Sequence, residues 1–100
     1  MYRIIDSRGS GKTSRLLLLA KETGATVICS NPWAMKQKAL AYGIIGINFI
    51  SYGEALGRGY EYAVKGINDH GNVLIDEIEN FAQYAIANAN MIGYCLSNED

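Results

Sequence analysis

Short apolar runs punctuated by glycine and polar clusters divide this chain into alternating strand-like and helix-like pieces. Tyr2-Arg3-Ile4-Ile5 predicts a short buried strand that feeds a loop. The run from Lys12 to Thr23, with four leucines at its centre, predicts a first helix that stops at Gly24. Thr26-Val27-Ile28-Cys29-Ser30 is apolar and β-branched, the pattern of an inner strand. Asn31-Pro32 opens a second helix, with Asn as cap and Pro at the first helical position. Trp33 to Tyr42 continues it, Lys36 and Lys38 on its wet side, and Gly43 ends it. Within 44–51, Ile47-Asn48-Phe49-Ile50 predicts a third strand. Gly57-Arg58-Gly59 breaks the chain; Tyr60, Val64 and Ile67 then recur at helical spacing over Tyr60 to Ile67, before a turn at 68–72. Val73-Leu74-Ile75 is a further strand, Phe81 to Ala89 reads as helix with asparagines crowding its end, and Met91 to Leu96 is a last apolar strand.

Strand and helix in alternation imply an α/β domain: a parallel sheet of about four to five strands with helices on both faces. Right-handed crossovers would bring the polar strand ends, namely Ser30-Asn31, Ser51, Asp76-Glu77 and Ser97-Asn98, to one edge beside the loop at 6–13. At 100 residues the chain makes a single domain. Nine Lys and Arg against ten Asp and Glu leave a charge of -1, so no basic stripe announces a nucleic-acid surface. Two cysteines, Cys29 and Cys95, lack metal-ligand spacing and read as buried free thiols of a reducing compartment. The longest leucine run is too short for a bilayer span and the N-terminus lacks a signal pattern, so a cytoplasmic protein with no membrane partner is expected. His70 stands in a turn and reads as solvated.

The chemistry-bearing stretch is Asp6-Ser7-Arg8-Gly9-Ser10-Gly11-Lys12-Thr13, set between a strand and a helix. Gly9 and Gly11 let backbone N–H groups approach an anion closely, and the start of the helix favours negative charge at the same place. The stretch resembles the Walker A motif of P-loop NTPases, with Asp6 where the motif has its first glycine. Asp76-Glu77 at a strand's end resembles Walker B, in the branch that includes helicases, RecA-like and AAA-type ATPases.

That resemblance implies ATP and Mg²⁺ as ligands. Gly9, Ser10, Gly11, Lys12, Thr13 and Ser14 would cradle phosphate, Thr13 and Asp76 would hold the metal, and Glu77 would polarise the attacking water. Ser97 or Asn98, at the tip of a sensor-like strand, would meet the γ-phosphate; a plain strand-ending turn is the competing reading. The loop is also similar to that of phage DNA-packaging terminases, which makes Arg8 a candidate finger in cis, against a solvated loop arginine. Arg58, between two glycines, is a weaker candidate for a finger or a nucleic-acid contact. Glu79 reads as a helix N-terminal charge, and Trp33 with Met35 as core anchors rather than a base-stacking or docking pair. The implied protein is a minimal ATPase core of phage or mobile-element type, acting as a homo-oligomer or within a DNA-processing assembly. A non-catalytic assembly module is the rival reading, and a nucleoside or nucleotide kinase a third.

Overall fold

The computed structural model describes residues 3–5, 11–57 and 71–97. The elements run α1 (Lys12–Thr23), β1 (Thr26–Cys29), α2 (Pro32–Ala41), β2 (Phe49–Ser51), α3 (Tyr52–Ala55), β3 (Val73–Ile75) and α4 (Ile78–Ile86). The loop residues Asp6, Arg8, Gly9 and Ser10, the expected helix over 60–67, Arg58, His70 and Asn98 lie outside the described residues.

Local signals account for the helix boundaries. Gly11 caps α1 at φ 85 and Gly24 closes it at φ 73, both in the left-handed region where a Cβ is strained. The Asn31 side chain accepts from the Ala34 N–H at 3.1 Å, and Pro32 follows at the first helical position. A short helix absent from the expected pattern, α3, starts on a reciprocal cap. The Ser51 hydroxyl accepts the Glu54 N–H at 3.1 Å and donates to the Glu54 carboxylate at 3.1 Å.

Among the described residues the sheet has three strands in the order β2-β1-β3, all parallel. Parallel register sets Val27 beside Phe49 and Leu74, and Ile28 beside Ile50 and Ile75. The twofold alternation of a strand then gives each set its own face. Val27, Cys29, Phe49 and Leu74 pack with Leu16, Leu17 and Ala20 of α1 and Met35 and Ala39 of α2. Ile28, Ile50 and Ile75 pack with Tyr52 and Ala55 of α3 and Phe81 of α4. Helices therefore cover both faces, and β1, buried at every position, is the central strand. Fully buried Leu17 and Val27 contribute about 1.5–3 kcal/mol apiece.

Several expectations need correction. Residues 3–5 form no strand, and neither does the run from Met91 to Leu96. Ile5 is 77 % exposed and Ile92 fully so, although Ile4 packs against the α1–α2 side of the core. The sheet expected to have four to five strands has three among the described residues. Cys29 is buried as expected, but Cys95 is exposed with its segment. Met35 is core, whereas Trp33 is 72 % exposed. The last helix starts at Ile78, three residues before the expected Phe81, and ends at Ile86; Glu79 does sit in its first turn. No helix among the described residues is long and apolar enough to cross a membrane.

Candidate functional site

All three strands point their C-terminal ends the same way, so Ser30, Ser51 and Asp76 gather on one edge. The start of α1 reaches that edge too. Lys12, its first residue, places Nζ 2.7 Å from the Glu77 carboxylate, across 65 positions of sequence. Both side chains are partly open, at 30 % and 43 % exposure. Lysine and acids expected to face each other do so. Thr13 and Ser14 follow on the half-buried first turn of α1, where the Ser14 hydroxyl donates to the Gly11 carbonyl at 2.9 Å. That bond serves the helix start rather than projecting the hydroxyl outward.

Glu77 is held in an unusual backbone state. Its φ of 54 and ψ of 69 are left-handed, which for a non-glycine residue costs on the order of 1–2 kcal/mol. It is the N-terminal cap residue of α4, and its carbonyl accepts the first helical bond, from Phe81 at 3.1 Å. Strained backbone of this kind persists where neighbours hold it in place. The neighbour is Tyr52. Its hydroxyl donates to the Asp76 carbonyl at 2.7 Å and lies 3.4 Å from that of Glu77. Phe81 meets the tyrosine ring edge-on at 5.3 Å, and Tyr84 tilts against it at 5.9 Å.

Charge at the edge is uneven. Burial, then the neighbouring Glu77 carboxylate, raises the Asp76 carboxyl above its ordinary 3.8, while Lys12 and Lys38 pull the other way. The Asp76 N–H is spent on the Ile28 carbonyl at 2.9 Å, which extends the β1–β3 ladder up to the acid. Burial, with Asp76 next, pushes the Tyr52 hydroxyl up to about 12, so it keeps its proton and donates at any ordinary pH. The Cys29 thiol behind them is pushed up to about 11, chiefly by burial.

Beside this pair, on the α3–α4 side, opens a cleft of about 410 Å³ lined by Ser30, Ser51, Gly53, Asn80 and Tyr84 among others. Lys12, Asp76 and Glu77 do not line it. Gln83, on its wall, is committed to its own chain: the amide donates to the Ala89 carbonyl and accepts from the Met91 N–H, each at 2.7 Å. The lysine–carboxylate pair is therefore separate from the cleft.

Gly11, Lys12, Thr13, Ser14, Asp76 and Glu77 are thus accounted for, while Arg8, Gly9, Ser10 and Asn98 lie outside the described residues. Ser97 is exposed, and its carbonyl accepts from the Arg3 guanidinium, which ties the two chain ends together. Among the described residues no three His, Cys, Asp or Glu side chains gather as a metal site. The edge carries the Asp76 and Glu77 carboxylates and the Lys12 ammonium. The sequence reading missed Tyr52 and its helix, although Ser51-x-x-Glu54 is a helix-start signature that marks the place. Comparison of the chain with family models, with curated proteins and with solved structures finds no match. The fold and the site thus define a small α/β domain with a lysine–carboxylate edge.

Proposed function

We propose that this edge binds ATP with Mg²⁺ and hydrolyses it slowly. The observation that carries the reading is the 2.7 Å contact between Lys12 at the start of α1 and Glu77 at the end of the acidic strand. Sequence separation makes that meeting a property of the fold, and both groups are of the type that phosphate chemistry needs. Lys12 exchanges Glu77 for phosphate oxygens, which frees the Glu77 carboxylate to orient and polarise a water. Thr13 and Asp76 are the residues that would hold Mg²⁺, which supplies charge neutralisation on the phosphates when bound. The architecture that carries it is a small α/β domain with three parallel strands among the described residues and helices on both faces. Gly9, Ser10, Arg8 and Asn98 extend the same reading to the phosphate cradle, a cis arginine and a γ-phosphate contact. A second copy of the chain or a phage-type DNA-handling assembly is the partner class.

Calorimetry with ATP and Mg²⁺ tests it. Lys12→Ala abolishes binding. Glu77→Gln retains binding and loses phosphate release; it also removes the competitor for Lys12, so affinity rises by up to ~5-fold, the equivalent of a ~1 kcal/mol exposed pair. Equal binding by wild type and Lys12→Ala refutes the reading. The closed Lys12–Glu77 pair also favours a second reading, a non-catalytic module in which the pair is a structural tie. Absence of phosphate release with and without DNA selects that module.

A further inference from the structure

Tyr52 stands on α3, away from the elements that carry Lys12, Asp76 and Glu77. It nonetheless touches the turn between β3 and α4 in two ways. Its hydroxyl bonds the Asp76 carbonyl at 2.7 Å and approaches the Glu77 carbonyl at 3.4 Å. Its ring meets Phe81, which is in the first turns of the helix that Glu77 caps. The tyrosine itself is 4 % exposed, so neither contact is readily traded for water. Between these grips lies the left-handed Glu77. An L-residue leaves that region unless its surroundings over-determine it. A change there swings the side chain, because the direction of Cβ follows φ and ψ.

We infer that Tyr52 is a positioning residue: its hydroxyl locks the Asp76-Glu77 turn so that the Glu77 carboxylate stays within reach of Lys12 and, in turnover, of the attacking water. The second half of this inference rests on the nucleotide reading; the first half does not. Tyr52 touches no reacting atom and is not a catalytic residue. Its effect is on geometry, where a displacement of about 1 Å can cost ~10²-fold in rate.

Tyr52→Phe tests it by removing the hydroxyl and keeping the ring that packs on Phe81 and Tyr84. Two ligand-free NMR readings come first, the backbone torsion of Glu77 from scalar couplings and the hydrogen exchange of the Lys12 ammonium. Tyr52→Phe loses the left-handed signature at Glu77 and speeds ammonium exchange at Lys12. In phosphate release, kcat falls by ~10- to 100-fold with KM held within about twofold. Ile28→Val is the control: it loosens the same cluster and leaves the hydroxyl in place, and both NMR readings stay at wild type. Unchanged Glu77 torsion and Lys12 exchange in Tyr52→Phe overturn the inference. So do equal changes in Tyr52→Phe and Ile28→Val, which assign the effect to packing. If wild type neither binds nor turns over ATP, the nucleotide reading fails by itself, and the ligand-free arms still decide the role of Tyr52.

Discussion

Replacing Glu77 by Ala and, separately, by Gly divides the charge at this position from the backbone that carries it. Both changes delete the contact to Lys12. With the two side chains 30 % and 43 % exposed, that contact belongs to the surface regime and contributes about 0.2–1 kcal/mol. The two variants then differ by one Cβ on a backbone at φ 54 and ψ 69. Gly relieves about 1–2 kcal/mol of left-handed strain. Its greater freedom in the unfolded chain returns about 0.4–1 kcal/mol of that. The net is about 0–1.6 kcal/mol (midpoint ~0.8) in favour of Gly over Ala, comparable to the lost ion pair. Glu77→Gly therefore melts close to wild type, and at that midpoint Glu77→Ala melts ~3–6 °C below Glu77→Gly, given ~4–8 °C per kcal/mol for a domain of this size. Far-UV circular dichroism is the assay; Trp33 is 72 % exposed and its emission reports folding poorly. A Glu77→Ala variant as stable as Glu77→Gly would refute the claim that this acid sits on strained backbone, and with it the need for any clamp.

Asp76 and the cysteines give two independent checks. Burial and then Glu77 raise the Asp76 carboxyl, so the native state holds that proton more tightly than the unfolded chain, whose carboxyl titrates near 3.8. The stability linked to it is complete below that pH and is lost as pH rises through the native value. Asp76→Asn is accordingly more stable than wild type in urea unfolding at pH 7, with an advantage that fades as pH falls toward 3.8; a less stable Asp76→Asn at pH 7 contradicts the assignment. Cys29 is 2 % exposed with its thiol pushed up to about 11, whereas Cys95 is exposed. A thiol-exchange reagent at pH 8 should label Cys95 in the native protein and Cys29 only on unfolding, and equal rates at both would show that the β1 face is open.

Much of this arrangement is legible in the sequence because its causes are local. Gly24 ends α1, Asn31-Pro32 starts α2, and the β-branched run at 26–29 forms the central strand; each signal acts within a few residues of itself. The meeting of Lys12 with Glu77 follows from one further step, that parallel strands collect their C-terminal ends on one edge. Two things escaped for opposite reasons. Met91 to Leu96 satisfies the apolar pattern of a strand, but a pattern specifies a face and not a partner, and Ile92, Tyr94 and Leu96 stand exposed. For Tyr52, the Ser51-x-x-Glu54 signature marks the helix start but not the contact the tyrosine makes. Its role comes from a contact 24 residues away to a backbone carbonyl, a group that every residue possesses and no composition reveals.

The edge combines charges that do not cancel. Lys12 lies against Glu77 at 2.7 Å, yet the carboxyl next to it, Asp76, remains raised by burial and by that same Glu77, despite the opposing pull of Lys12 and Lys38. Lys12 holds Glu77 in a direct ion pair and acts on Asp76 through its charge alone, too weakly to cancel the effect of burial and Glu77. A ligand that brought an anion to Lys12 and a cation to Asp76 together would satisfy both, and a metal-bound polyphosphate has that distribution of charge. A bare anion would draw Lys12 away from Glu77, and a bare cation would compete with Lys12 for Glu77. On the nucleotide reading the metal and the phosphates therefore bind cooperatively, each lowering the cost of the other's contact. On that reading the strained turn also has a role: a Glu77 free to relax would swing its carboxylate off Lys12, and the proposed exchange of carboxylate for phosphate would lose the geometry that couples it to water.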